Sequence, residues 1–126
     1  YHNTEQLRLL KKIYDLISDK GFLVLETATL RTTDPDIRNG NYIEVFYPKT
    51  YRNTGTITHL PTASVVHTYL NMVGFSEVHR INCYTVEPHL YEHRAAFIVQ
   101  KKSSDREGLY YHLNAQNDKY ILGKSY

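Results

Sequence analysis

An α/β architecture follows from three features of the sequence. A helical stripe over residues 4–20 runs into a glycine and then an unbroken apolar run. A second helical stripe, capped at its start, covers about residues 62–73. Behind it, two apolar segments joined by a short connection read as an antiparallel pair. Amphipathic helices alternating with short apolar runs are the pattern of helices packed on a sheet.

The first helix rests on Leu7, Leu10, Tyr14 and Ile17, at spacings of three and four, with Leu9, Ile13 and Leu16 widening the stripe. Asn3 or Thr4 can cap its start, and Gly21 stands where a left-handed residue is wanted. Phe22-Leu23-Val24-Leu25 then predicts a strand buried on both faces. Helix, glycine turn and doubly buried strand make the later part of a βαβ unit.

Residues 31–61 carry no strong helical period. Asp34-Pro35 and Asn39-Gly40 mark turns, and Tyr42 to Tyr47 reads as a short paired strand. A connection of this length is expected to be a lid or a binding loop. Thr62 caps the second helix after Pro61. Val65, Val66, Tyr69, Leu70 and Val73 form its apolar face, and Gly74 closes it. Residues 76–86 follow, with Val78 and Ile81 as anchors, and Ala95 to Val99 is the last strand core. The tail from Ser103 is polar, holds Tyr110, Tyr111, Tyr120 and Tyr126, and has no clear period. Two regions follow: 1–102, and a tyrosine-rich tail, 103–126.

Charge and cysteine usage bound the partners. The formal charge of +2 neither demands nor excludes an anionic partner. Cys83 is the single cysteine, so no internal disulfide forms, and a reducing, cytoplasmic setting is expected. No apolar run approaches the roughly 18 residues of a membrane span, so no membrane partner is expected. Of the seven histidines only His89 and His93 form a close pair, which without a third ligand predicts no metal.

The order helix, strand, long loop, helix, strand, strand resembles the second half of the Rossmann-like class I S-adenosylmethionine-dependent methyltransferases. In their seven-stranded sheet the last strand is inserted antiparallel beside the fifth. Tyr1-His2 resembles the Tyr-His after the fourth strand, and Gly21-Phe22-Leu23-Val24-Leu25-Glu26-Thr27 resembles the fifth-strand signature. Leu60-Pro61-Thr62 and Val73-Gly74-Phe75 resemble the bounds of the following helix. Within the superfamily the likeness is greatest to the tRNA 5-carboxymethoxyuridine synthase group, through these stretches, Tyr51-Arg52-Asn53, and Arg94-Ala95 opening the final strand. Residues 53–61, Asn-Thr-Gly-Thr-Ile-Thr-His-Leu-Pro, depart from that group's Met-Arg-Asn-Val-Tyr-Phe-Ile-Pro.

The resemblance implies an enzyme that moves a methyl or carboxymethyl group to a tRNA base or a small acceptor. The donor is S-adenosylmethionine or, alternatively, its carboxylated form. Tyr1, His2 and Arg94 would bind the cofactor, with Tyr1 and Arg94 on the extra carboxylate. The bland alternatives are a frayed chain start for Tyr1 and His2 and an ion-pair role for Arg94. Glu26 and His59 are the catalytic candidates, as base or substrate contacts. Equally, Glu26 can be a carboxylate tied to nearby backbone and His59 a loop side chain in solvent. A pocket joining Tyr1, Glu26, His59 and Arg94 is expected.

The glycines never form the G-x-G of a cofactor turn. With the start at Tyr1 this predicts a fragment, inactive alone, whose partners are a missing N-terminal half, an acceptor, and a second copy through an unpaired sheet edge. The alternative is a noncatalytic binding or assembly module that kept this half of the fold.

Overall fold

The computed structural model describes residues 2–85 and 93–102. Tyr1, the Glu87-Pro88-His89 interruption and the tail from 103 lie outside the described residues, as do the side chains of Cys83 and His93. The elements in order are α1 (Gln6–Leu16), β1 (Phe22–Thr29), α2 (Pro35–Arg38), β2 (Ile43–Phe46), β3 (Thr58–Pro61), α3 (Ala63–Val73), β4 (Val78–Thr85) and β5 (His93–Gln100).

The main sheet has the order β1-β5-β4. The last strand lies between the other two and antiparallel to both, in registers that set Leu25 opposite Phe97 and Cys83 opposite Ala95. Hence β1 and β4 run parallel to each other without touching. The expected strand arrangement is therefore present: a mixed α/β fold built on a small antiparallel sheet.

Alternation decides which face of this sheet is packed. Ala95, Phe97 and Val99 of β5 are buried, and Leu23 and Leu25 of β1 lie beside them. Both helices cover this face, α1 with Leu10 and Tyr14, α3 with Val66, Leu70 and Val73. Phe75, just past α3, sets its ring edge-on to Tyr14 at a centroid distance of 4.8 Å.

The other face overturns an expectation. Phe22 and Val24 are 63% and 65% exposed, so β1 is not buried on both sides. Among the described residues no helix covers Phe22 and Val24 on this face, although Ala28 at its far end is buried.

Several element ends also differ from expectation. α1 stops at Leu16 rather than near residue 20, and Ile17 already has extended backbone. Its carbonyls are met by a residue from the far end of the chain: Lys101 Nζ donates to the oxygens of Tyr14 and Ile17, each at 3.0 Å. A cation at a helix C-terminus is favoured by the dipole as well. The left-handed residue is Lys20, at φ 65°, not Gly21. Gly21 is needed for closeness instead, since a Cβ there would meet Ile17 Cγ2 at 2.7 Å and the oxygen of Ser18 at 2.8 Å. Neither Asn3 nor Thr4 caps α1; Glu5 holds that position without a side-chain bond, and Asn3 Oδ1 accepts from the Glu5 N–H at 2.7 Å. Leu9 and Leu16 face outward, which leaves the buried stripe narrower than the sequence pattern. Ile81 is exposed because the β4–β5 register shifts between Arg80 and Asn82 and takes it out of the ladder.

The α3 boundaries are as expected. Thr62 Oγ1 accepts from the Val65 N–H, and Gly74 closes the helix at φ 134°.

Candidate functional site

The long connection folds back over the C-terminal end of β1. Its strands β2 and β3 pair antiparallel, with Ile43 opposite Pro61 and Val45 opposite His59. The Leu30 N–H donates to the Pro61 oxygen at 2.9 Å and joins this ribbon to the end of β1. A second apolar cluster of Ala28, Leu30, Tyr51 and Leu60 fills the junction. Arg31 lies over the Tyr51 ring, 4.7 Å from its centroid. Short α2 begins where Asp34 accepts from the Asp36 N–H, and it sits within the same connection.

Glu26 and Arg94 meet on the bare face of the sheet. Glu26 stands opposite Ala96 and Arg94 opposite Ala28, so the pair is diagonal across β1 and β5. Arg94 donates through Nε to Oε1 and through Nη2 to Oε2, the latter at 2.7 Å. This two-point match of guanidinium to carboxylate is the strongest geometry such a pair has. Both side chains keep part of their surface in solvent, 27% for Arg94 and 39% for Glu26.

The other candidates gather around β3. His2 Nδ1 is 3.2 Å from the hydroxyl of fully buried Thr58 and 3.5 Å from that of Thr56. Gln6 Nε2 donates to the main-chain oxygen of His59 at 3.0 Å, which ties the start of α1 to the same strand. His59 itself is half-buried, not a solvent-facing loop residue. The structure thus brings Glu26 to Arg94, and His2 to the strand that carries His59. Tyr1, the fourth member of the expected pocket, lies outside the described residues.

Two clefts lie on the helix-covered side of the sheet. One, of about 70 Å³, lies between α1, β1 and α3; Gln6, Leu9, Leu10, Leu25, Thr27 and Tyr69 are among the residues that line it. The other, of about 110 Å³, is bordered by Thr29, Arg38, Asn39, Thr62, Ala63 and Arg80. Sequence reading missed the second cleft because its two arginines are far apart in the chain and sit in no motif.

A clear electrostatic perturbation lies elsewhere. The Lys102 ammonium, 2.6 Å from Glu77, holds the Glu77 carboxyl below the usual range, with a smaller contribution from His79. Among the described residues no group of three His, Cys, Asp or Glu side chains can hold a metal ion. No described helix is long and apolar enough to cross a membrane.

Comparison with known proteins adds no family. No protein-family model matches the sequence, and no curated protein does.

Proposed function

We propose that this chain is the acceptor-side half of a Rossmann-like class I S-adenosylmethionine-dependent methyltransferase sheet. The observation that carries the reading is the sheet order: a last strand inserted antiparallel between two that run parallel. The bare face supports it. A strand reading Phe-Leu-Val-Leu is suited to burial on both sides, and here Phe22 and Val24 stand exposed. In the proposal, helices of an N-terminal half cover Phe22 and Val24, and its fourth strand pairs with the outer edge of β1.

The residues described fit one wall of such a site and not a cofactor cradle, since the glycines of this chain never form the G-x-G of a cofactor turn. When bound, S-adenosylmethionine supplies an electrophilic methyl group. The work of this chain is then to position the acceptor and exclude water, which needs no fixed triad. The β2–β3 ribbon over the end of β1 suits that work, with His59 and Glu26 as the groups able to take a proton from an acceptor such as a tRNA base or a small molecule.

Glu26 bears on which donor is used. Its carboxylate already occupies the fork of Arg94, so an extra carboxylate on the cofactor must compete with it. This favours plain S-adenosylmethionine over the carboxylated form. The test is a donor titration of a polypeptide carrying both halves. Plain S-adenosylmethionine is expected to bind at least as tightly as the carboxylated form, and Arg94→Ala is expected to leave its affinity within a few-fold. A loss of about 1.5–3 kcal/mol confined to the carboxylated donor, as for a hydrogen bond to a charged group, would instead establish the carboxymethyl reading. Binding of neither donor by a folded protein would refute the transferase reading and leave the noncatalytic module.

A further inference from the structure

We propose that the cleft between α2, the start of α3 and β4 binds an oxyanion, a phosphate group, held by Arg38 and Arg80. The two arginines come from different elements and border one cleft with no acidic residue in its lining. Arg38 spends one N–H of Nη2 on the Thr32 oxygen at 3.2 Å, and neither arginine has a carboxylate partner among the described residues. That sets them apart from Arg8 and Arg94, each of which is paired with a glutamate. Both arginine side chains are exposed, and an anion seated in the cleft would meet two positive charges at once. A guanidinium presents its donors in a fork that matches phosphate oxygens in two-point geometry.

The rest of the lining agrees in kind. Thr62 uses its hydroxyl on the Val65 N–H and the Gly40 oxygen, and its own N–H on Tyr42. The N–H groups of Ala63 and Ser64, next in the chain, have no partner among the described residues. They add positive potential at the same mouth, but the arginines carry the inference. The cleft volume of about 110 Å³ is several times the roughly 10–15 Å³ that holds one water. The register shift after Arg80 shapes this side: Arg80 stays opposite Phe97, on the helix-covered face, while Ile81 leaves the ladder. The site is on the opposite face from Glu26 and Arg94, so it does not depend on the transferase reading.

The experiment uses this chain as it is. Inorganic phosphate is titrated at constant ionic strength and followed by the amide resonances of Ala63 and Ser64 and the side-chain Nε–H of Arg38 and Arg80. Phenyl phosphate, acetate and sodium chloride are titrated in parallel. Saturable shifts with phosphate are expected, with linear drift for acetate and chloride. Arg80→Gln should weaken binding by about tenfold or more, as for loss of a charged hydrogen bond, while Arg80→Lys, which keeps the charge but loses the fork, should fall between that variant and the unsubstituted chain. Arg38→Gln, on the exposed short helix, carries the same test if Arg80→Gln disturbs the fold. Tighter binding of phenyl phosphate than of phosphate marks a phosphorylated molecule as the ligand, and the reverse marks the free ion. Absence of saturation, equal response to acetate, or undiminished binding in both glutamine variants overturns the proposal.

Discussion

Gly74 is held at φ 134°, and a Cβ there would sit 2.8 Å from the ring of Tyr14. Backbone strain and a collision in the core therefore act together, and Gly74→Ala is expected to cost more than the roughly 0.4–1 kcal/mol such a change gains at a compatible site. Urea unfolding measures this, and an unchanged midpoint would refute it. Glu77 makes a different kind of prediction. Its folded-state pKa lies below its unfolded value because Lys102 binds the charged form. The stabilisation is thus present above the unfolded pKa and is lost as pH falls through the folded one. A ¹³C titration of the carboxyl carbons should show Glu77 titrating below the ordinary glutamate range, and Lys102→Gln should return it toward that range. The ion pair of Glu26 with Arg94 is part-exposed, so Glu26→Gln should change stability by no more than about 1 kcal/mol. Its importance, on the proposed reading, is for ligand choice.

At the scale of elements, what was legible in the sequence divides by the range of the interactions involved. Thr62 and Gly74 announce α3 because caps act on groups a few residues away. Leu25 and Phe97 are readable as strand residues because an apolar run is a local signal, and their adjacency follows from the strand order. The end of α1 was not readable, since the carbonyls of Tyr14 and Ile17 are capped by Lys101, more than eighty residues on. The bulge after Arg80 carries no glycine or proline to mark it, so Ile81 reads as an anchor and is exposed. Of the candidate site, the sequence places Glu26 and Arg94 in one expected pocket with separate roles, and an ion pair is the alternative for Arg94; the register of β1 on β5 makes the two partners. The same scale yields a stability prediction. Thr62 caps α3 and also bonds to the Gly40 oxygen at 2.6 Å. Thr62→Ala is expected to cost about 1–2 kcal/mol, at the upper end of the range for a lost cap, and Thr62→Ser should restore most of it in the same urea assay.

Among the described residues the main sheet is covered by helices on one side. Helices α1 and α3 bury Phe97 and Val99 on that side, while Phe22 and Val24 project from the other. Among the described residues the outer edge of β1 also has no strand beside it. Unpaired apolar edges recruit other chains, so this chain alone is expected to self-associate with rising concentration, and Val24→Lys is expected to suppress it. Sedimentation that stays monomeric in the unsubstituted chain would contradict this. The deeper claim is that the edge and face belong under the other half of a methyltransferase sheet. Hydrogen exchange on β1 tests it most directly, comparing this chain, dilute enough to be monomeric, with a polypeptide carrying both halves. The account predicts that the alternate β1 amides pointing away from β5 exchange fast in the chain alone and become protected in the longer protein, while the amides facing β5 are protected in both. Equal, rapid exchange of the outward amides in both proteins would contradict it.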